Sequence, residues 1–285
     1  MIRNFIEDLA TVYFSKDRPM QLDLALNTNQ THSVDWQKQE EFVLYKASNI
    51  RYEKAYQRVQ KEHSSVFFIP EKNFKNQLLD TLKDYKYVMF VTDDTIFVRD
   101  YYLSDILPLM NNFSSAIGFS LRLGENTTYC YPLDTQNKMP EFLKIKDLPM
   151  YVFNWREAGR GDFSYPLEVS SSIYRIVNIY EVLAKSDYSN PNSLEWQMAL
   201  TNHRRSNMPY LLCYDNSVAF SNPVNMVQTE NNVNRRGNKK KYQPEQLLEK
   251  YEKRLRIKSN DFYGFVPSGC HQEVDYEFTT LLDLD

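Results

Sequence analysis

Two acidic residues, Asp93 and Asp94, stand directly after the apolar run Tyr87-Val-Met-Phe-Val91 and Thr92. Carboxylates this close repel one another unless a positive charge neutralises them. A divalent cation would do so, and hard oxygen ligands select Mg2+ or Mn2+. The plainer alternative is that Asp93 or Asp94 caps a turn. Two more polar clusters follow apolar runs in the same way. Ser15-Lys-Asp-Arg18 follows Thr11-Val-Tyr-Phe14, and Lys46-Ala-Ser-Asn49 follows Phe42-Val-Leu-Tyr45. The guanidinium fork of Arg18 matches a phosphate, or it makes a solvated pair with Asp17. Among the 4 histidines, His271 has the best claim to chemistry. It follows Gly264-Phe-Val-Pro-Ser-Gly-Cys270, which holds two of the chain's 7 glycines and suits a segment folding back over a site. His32 and His63 lie in polar stretches, and His203 ends a predicted helix beside Arg204 and Arg205, where a cation suits the dipole.

The elements that must position these residues are legible in the first 95 positions. Thr11–Phe14, Phe42–Tyr45, Val66–Ile69 and Tyr87–Val91 are nearly uninterrupted apolar runs, as in strands buried on both faces. Between them, Pro19 suits a first helical turn, with Leu22, Ala25, Leu26 and Asn29 following at helical spacing. Phe74, Leu78 and Leu82, with Leu79 beside them, make another apolar stripe. The β-α-β-α-β-α-β order predicts an α/β fold on an open parallel sheet with right-handed crossovers. Ligands in such sheets bind beyond the carboxyl ends of the strands, where all three polar clusters fall. After residue 95 the pattern loosens. Ser104 is placed to cap a short helix ending near Met110, and a strand is predicted at Ala116–Ser120. Leu123–Asp162 is read as loop-rich. Helices are predicted at Ile173–Ala184, Ser193–His203 and Gln243–Leu255, and a strand at Leu211–Phe220.

Composition narrows the class of protein. Of 285 residues, 42% are hydrophobic and 25% charged, enough apolar side chain for a folded core. Lys plus Arg is 34 against 37 for Asp plus Glu, so no general basic field exists for nucleic acid. With 7 glycines against the roughly 20 of average composition, a Gly-rich phosphate loop is not expected, and none is present. Three widely spaced cysteines without a CxxC pair fit reduced thiols rather than disulfides or a structural zinc site. Glu7 and Asp8 argue against a signal peptide, and no apolar run reaches the ~18 residues of a membrane span. The expected location is cytoplasmic, with any membrane contact peripheral and on the inner face.

Phe14-Ser-Lys-Asp-Arg-Pro-Met-Gln-Leu22 and Phe90-Val-Thr-Asp-Asp-Thr-Ile-Phe97 resemble nucleotide-sugar glycosyltransferases of the GT-A fold, in a bacterial group related to the inverting family 2. Glu71-Lys-Asn-Phe-Lys75, Ser120-Leu-Arg-Leu-Gly124, Gly161-Asp-Phe-Ser-Tyr-Pro-Leu167, Pro191-Asn-Ser-Leu-Glu195, Asn222-Pro-Val-Asn-Met-Val-Gln228 and Cys270-His271 agree with it in order. The resemblance implies one GT-A domain over 1–285, with a nucleotide-binding half at 1–95 and an acceptor-binding half at 96–285. It implies a nucleotide-diphosphate-sugar donor, UDP-linked for preference, and a glycan or lipid-linked acceptor. Ser15, Arg18, Asn49 and Lys75 would then contact the nucleotide. Such enzymes commonly read Asp-x-Asp. Here Thr92 takes the first acidic position, so the resemblance makes Asp94 the direct metal ligand and gives the ribose-side role to Asp93. Cys270-His271 lies where several GT-A enzymes supply a late histidine as a second ligand, which shifts preference from Mg2+ toward Mn2+.

Sugar transfer with inversion needs a carboxylate to take the proton of the acceptor hydroxyl. The resemblance puts that base at Glu195, with Asp162 in reserve or as an acceptor ligand. Asn192 to Glu195 also has the spacing of a capping box, and in either role the helix dipole would hold the Glu195 pKa low. Arg235–Lys241 reads as a solvated loop, or as a lid over the diphosphate or a contact for an anionic lipid-linked acceptor. Two rivals stay open. A nucleotidyltransferase shares a related sheet but usually carries glycine after its first strand, and Ser15–Pro19 has none. A non-catalytic carbohydrate-binding or assembly subunit would keep the fold without turnover.

Overall fold

A computed structural model describes residues 8–202, 207–227 and 235–280. Nine strands, numbered here in chain order, join in one sheet. They are β1 (Leu9–Lys16), β2 (Gln39–Lys46), β3 (Phe67–Pro70), β4 (Tyr87–Thr92), β5 (Ala116–Ser120), β6 (Leu143–Lys144), β7 (Met150–Asn154), β8 (Ser172–Arg175) and β9 (Tyr210–Tyr214). Their order across the sheet is β3-β2-β1-β4-β8-β5-β9-β7-β6. The first four are mutually parallel, with Phe14 opposite both Leu44 and Thr92. The remainder is mixed: β8 runs antiparallel between β4 and β5, and β9 runs parallel to β5. The protein is thus an α/β fold built on a mainly parallel sheet flanked by helices.

The period of two along each strand divides the core into two faces. Tyr13, Met89 and Val91 point to one face, where they meet the helices α1 (Pro19–His32), α2 (Ile50–Glu62) and α4 (Leu103–Asn112). Val12, Phe14, Val88 and Phe90 point to the other, against α3 (Phe74–Leu82), α5 (Ile176–Lys185) and α6 (Pro191–Leu200). A seventh helix, α7 (Pro244–Glu252), covers α1 with Leu247, Leu248 and Tyr251. The predicted stripe of α1 is buried, but so is most of that helix, since α2 and α7 also pack on it. Asn29 is no apolar filler there; its amide bonds the hydroxyls of Tyr13 and Tyr101, each at 2.6 Å.

Several predicted elements shift, each for a tertiary reason. Ile173–Arg175 is strand rather than helix, because Ile173 and Tyr174 fill the slot between β4 and β5 and the helix starts only at Ile176. The predicted strand Leu211–Phe220 is two strands, β9 and Ala219–Ser221, the second pairing with Thr95–Phe97 outside the main sheet. The final helix stops at Glu252, and Leu255–Ile257 pairs with Phe278–Thr280 instead. The stretch Leu123–Asp162 contains β6 and β7. The helix predicted at Ser193–His203 begins at Pro191 and ends at Leu200; His203, Arg204 and Arg205 lie outside the described residues.

Ser104 does not cap α4. Asp35, from a distant loop, accepts the backbone N–H of Leu103 at 2.8 Å and of Ser104 at 2.7 Å. A capping carboxylate satisfies two otherwise orphaned donors and complements the helix dipole. Asp35→Ala should therefore cost about 1–2 kcal/mol of stability in urea unfolding. Ser104→Ala should change little; the reverse ranking would show that the cap is local.

Candidate active site

One large cavity, about 1240 Å³, lies beyond the carboxyl ends of β1 and β4 and is lined on its far side by Arg122, Asp162, Glu195 and His271. That volume exceeds the roughly 300–1,000 Å³ of ordinary ligand pockets.

The β1 and β4 loops meet through Asp93. It accepts from Ser15 Oγ at 2.9 Å, from the Lys16 backbone at 3.3 Å and from Arg18 Nη1 at 2.8 Å. Asp17 adopts φ 53°, a left-handed conformation that aspartate tolerates, and its carboxylate takes both the backbone and the hydroxyl of Ser48. The expected alternative pair of Arg18 with Asp17 is therefore absent, and Arg18 turns inward. Burial pushes Asp93 up to about 6, against the pull of Arg18. Asp94 is the freer acid, with Arg18 at 3.6 Å and its side chain 18% exposed. Thr92 holds it: the hydroxyl donates to Asp94 Oδ1 at 2.8 Å and also lies 3.1 Å from Ser170 Oγ. The threonine standing in the first acidic position thus orients the last one.

The other expected nucleotide contacts divide. Lys75 lines the cavity, but its ammonium donates to the Ser186 carbonyl at 2.7 Å and sits over the Tyr188 ring. Asn49 is not among the lining residues. It is the N-cap of α2, its side-chain oxygen accepting from the backbones of Arg51 and Tyr52, so the helix start consumes the group expected to meet the ligand.

At the far end, Glu195 lies in the first turns of α6, but the capping box is made by Asn190 with Ser193, not by Asn192 with Glu195. Glu195 instead receives the Val169 backbone N–H at 3.4 Å. Its carboxyl is pushed up to about 7, first by burial and then by the neighbouring Glu168, with Arg122 opposing. The expectation of a low pKa fails, because burial and a like charge outweigh the helix dipole. Asp162 is tied to Asn137 Nδ2 at 2.9 Å, and burial raises its pKa. His271 is brought in by a chain of strand contacts: Ser221 pairs with Thr95 on one side and bridges to His271 on the other, while Asn222 N bonds the Asp94 carbonyl. Burial and Arg122 drive the His271 pKa down to about 3, so its imidazole is neutral. Its Nδ1 is shut from solvent without a partner among the described residues. No set of three His, Cys, Asp or Glu side chains converges as a metal site among those residues.

Sequence reasoning missed the ion pair at the centre. Arg122 and Glu168 are 6% and 5% exposed and lie 2.8 Å apart. Arg122 was visible within Ser120-Leu-Arg-Leu-Gly124, but nothing local marked Glu168 as its partner. The basic stretch splits: Arg235 and Arg236 line the cavity, whereas Lys239 and Lys241 pair with Asp275. Positions 228–234 lie outside the described residues. Cys130, Cys213 and Cys270 are free and buried.

No sequence-family model matches the chain. It is 27% identical over 228 residues to the bifunctional glycosyltransferase pgtA of Dictyostelium discoideum, covering 71% of this chain and 30% of that protein. The chain thus spans under a third of the length of that relative. Among solved structures, S. aureus TarS 1–349 in complex with UDP-GlcNAc aligns with a TM-score of 0.48 and 11% identity over 79% of this chain and 60% of that one. The mannosyltransferase PcManGT of Pyrobaculum calidifontis, in complex with GDP-Man and Mn2+, aligns with a TM-score of 0.42 and 10% identity, covering 73% and 56%.

A buried ion pair robbed of one partner leaves an uncompensated charge. Arg122→Met should destabilise the fold by about 3–5 kcal/mol in denaturant unfolding, and the double change with Glu168→Leu should recover much of it. Additive losses in the double variant would show that the two side chains are not coupled.

Proposed function

We propose that this chain is a glycosyltransferase of the GT-A type, moving a sugar from a nucleotide-diphosphate donor to a hydroxyl of a glycan or lipid-linked acceptor. The observation that carries the reading is one cavity holding an acidic motif at the end of a central parallel strand and, across it, a carboxylate tuned near neutrality. Segment Glu168–Ser170 joins the two, with Ser170 against Thr92 and Val169 against Glu195. The sequence similarity to a glycosyltransferase supports the reading. The nucleotide lies over the ends of β1 and β4, in the half formed by residues 1–95, with Ser15, Arg18 and Asp93 framing the nucleotide end. Residues 96–285 form the acceptor half.

Glu195 acts as general base. Its carboxylate takes the proton from the acceptor hydroxyl while that oxygen bonds to the anomeric carbon. The bond from that carbon to the diphosphate oxygen breaks on the opposite side, and the configuration inverts. Burial suits the task, since a base with pKa near the working pH combines an ionised form with useful basicity. Asp162, fixed by Asn137, is the acceptor ligand.

Asp94 and His271 are the residues that would hold a divalent cation. One is an acid with a partly exposed side chain, and the other a neutral imidazole whose Nδ1 has no partner among the described residues. Mg2+ and Mn2+ sites often use few protein ligands, leaving the remainder to phosphate and water. When bound, the cation supplies positive charge to the leaving diphosphate. Arg18 contributes fixed positive charge at the same end.

Two outcomes test the reading. Glu195→Gln should lower transfer by at least ~100-fold with donor binding retained. For the wild type, kcat/KM should climb with pH up to about 7 and level off above it, because only the ionised carboxylate accepts a proton. Near-wild-type turnover in the Gln variant would remove Glu195 from the mechanism. Asp94→Asn should abolish the stimulation of turnover by Mn2+ or Mg2+ while leaving the thermal midpoint of the metal-free protein unchanged. Loss of folding instead would mark Asp94 as a structural cap.

A further inference from the structure

We propose that Arg122 and Glu168 form the subsite that reads the sugar ring of the donor, and that this sugar is a neutral, hydroxyl-rich hexose rather than a uronic acid. The inference rests on the transferase reading above and adds the class of sugar. Both side chains line the cavity and are more than nine-tenths buried. Their mutual contact uses Arg122 Nη2 and Glu168 Oε2. Arg122 Nε and Glu168 Oε1 are also shut from solvent, and neither has a hydrogen-bond partner among the described residues. A buried donor and a buried acceptor left unpaired are costly, and native structures seldom keep them without a use. A sugar hydroxyl donates and accepts at once, so two hydroxyls of one ring satisfy both atoms once the side chains turn them toward the cavity that they line. A single anion or a single cation would satisfy only one.

Position agrees with this role. Glu168 Oε2 also receives the Ser170 backbone N–H, and Ser170 Oγ lies 3.1 Å from the Thr92 hydroxyl that holds Asp94. In the other direction, the next residue, Val169, donates to Glu195. The pair therefore stands between the residue assigned to the diphosphate and the residue assigned to the acceptor proton, where the transferred ring must lie. Ser171 has φ 81°, an uncommon conformation for a serine, and turns the chain so that both neighbours of this segment keep their contacts.

Charge then selects the ring. Around the single guanidinium of Arg122 stand three carboxyl groups, those of Glu168, Glu195 and Asp162. A uronate would bring a fourth carboxylate beside a guanidinium that is already paired with Glu168. A neutral hexose brings none.

The test is calorimetric binding to the full chain of two ligand series: UDP, UDP-glucose and UDP-glucuronate, and GDP, GDP-mannose and GDP-mannuronate. In the series that binds, the wild type should prefer the neutral sugar nucleotide to its uronate by at least ~10-fold. Glu168→Gln should weaken the neutral sugar nucleotide about 10-fold, leave the bare nucleotide within about 2-fold, and narrow the preference against the uronate. Retained binding of the bare nucleotide also shows that the variant is folded. If it does not fold, the wild-type comparison decides alone. Equal affinity of the wild type for hexose and uronate, or an equal change for sugar nucleotide and bare nucleotide in the variant, would overturn the inference while sparing the transferase reading. Binding of none of the six ligands would overturn both.

Discussion

The Arg18–Asp93 pair holds the carboxyl ends of β1 and β4 in one arrangement. Two adjacent acids at the end of a buried strand would repel each other and resist burial, and a permanently charged guanidinium offsets part of both difficulties. Asp93 spends its oxygens on Ser15, the Lys16 backbone and Arg18, which closes the loop after β1 onto the end of β4. Tyr56 on α2 adds a second anchor, with its hydroxyl 2.7 Å from Ser15 Oγ and accepting the Arg18 backbone N–H at 3.1 Å. With Asp93 consumed in structure, Asp94 is left to face the cavity. The two acids therefore divide their roles by burial rather than by chemistry.

A second constraint comes from the way the sheet is completed. Strand β8 enters antiparallel between β4 and β5, so chain from the second half lies hydrogen-bonded against the strand that ends in the acidic motif. The residues just before β8 consequently run past that motif, and Glu168, Val169 and Ser170 fall between it and α6. The antiparallel pairing of Thr95–Phe97 with Ala219–Ser221 does the same for the late chain, since His271 bridges the far side of Ser221, one strand removed from the strand that begins after Asp94. Both placements arise from backbone pairing, which specifies position more firmly than a free loop could.

Within this frame the electrostatics of the two ends differ. At the ends of β1 and β4, positive charge from Arg18 offsets the acids. At the far end, burial and then the charge of Glu168 push the Glu195 carboxyl up, and Arg122 limits how far that effect goes. A helix N-terminus alone would have favoured ionised Glu195. Desolvation and a like charge within the cavity are the larger influences, and they push its carboxyl up to about 7.

The alternation of apolar runs and helical stripes before residue 95 was sufficient to order the first four strands, because parallel strands buried on both faces carry nearly continuous apolar sequence. The acidic motif was legible for the same reason: charged residues directly after such a run must lie at the carboxyl end of a strand. Beyond residue 95 local signals failed where pairing partners decided the outcome. Ile173-Tyr174 reads as the start of a helix until the slot between β4 and β5 claims it, and Ser104 reads as a cap until Asp35 reaches the same backbone groups. Of the site, Asp93, Asp94, Arg18, Glu195 and His271 could be picked out by residue type and resemblance. Asn49 could not be told from a ligand contact, since a helix cap and a nucleotide contact ask for the same side chain. Glu168 left no mark at all: its partner Arg122 is 46 positions away in the sequence, and only the folding of two loops onto one sheet brings them together. Residue order determined which groups stood at strand ends. Burial and long-range pairing decided which of them stayed free to act.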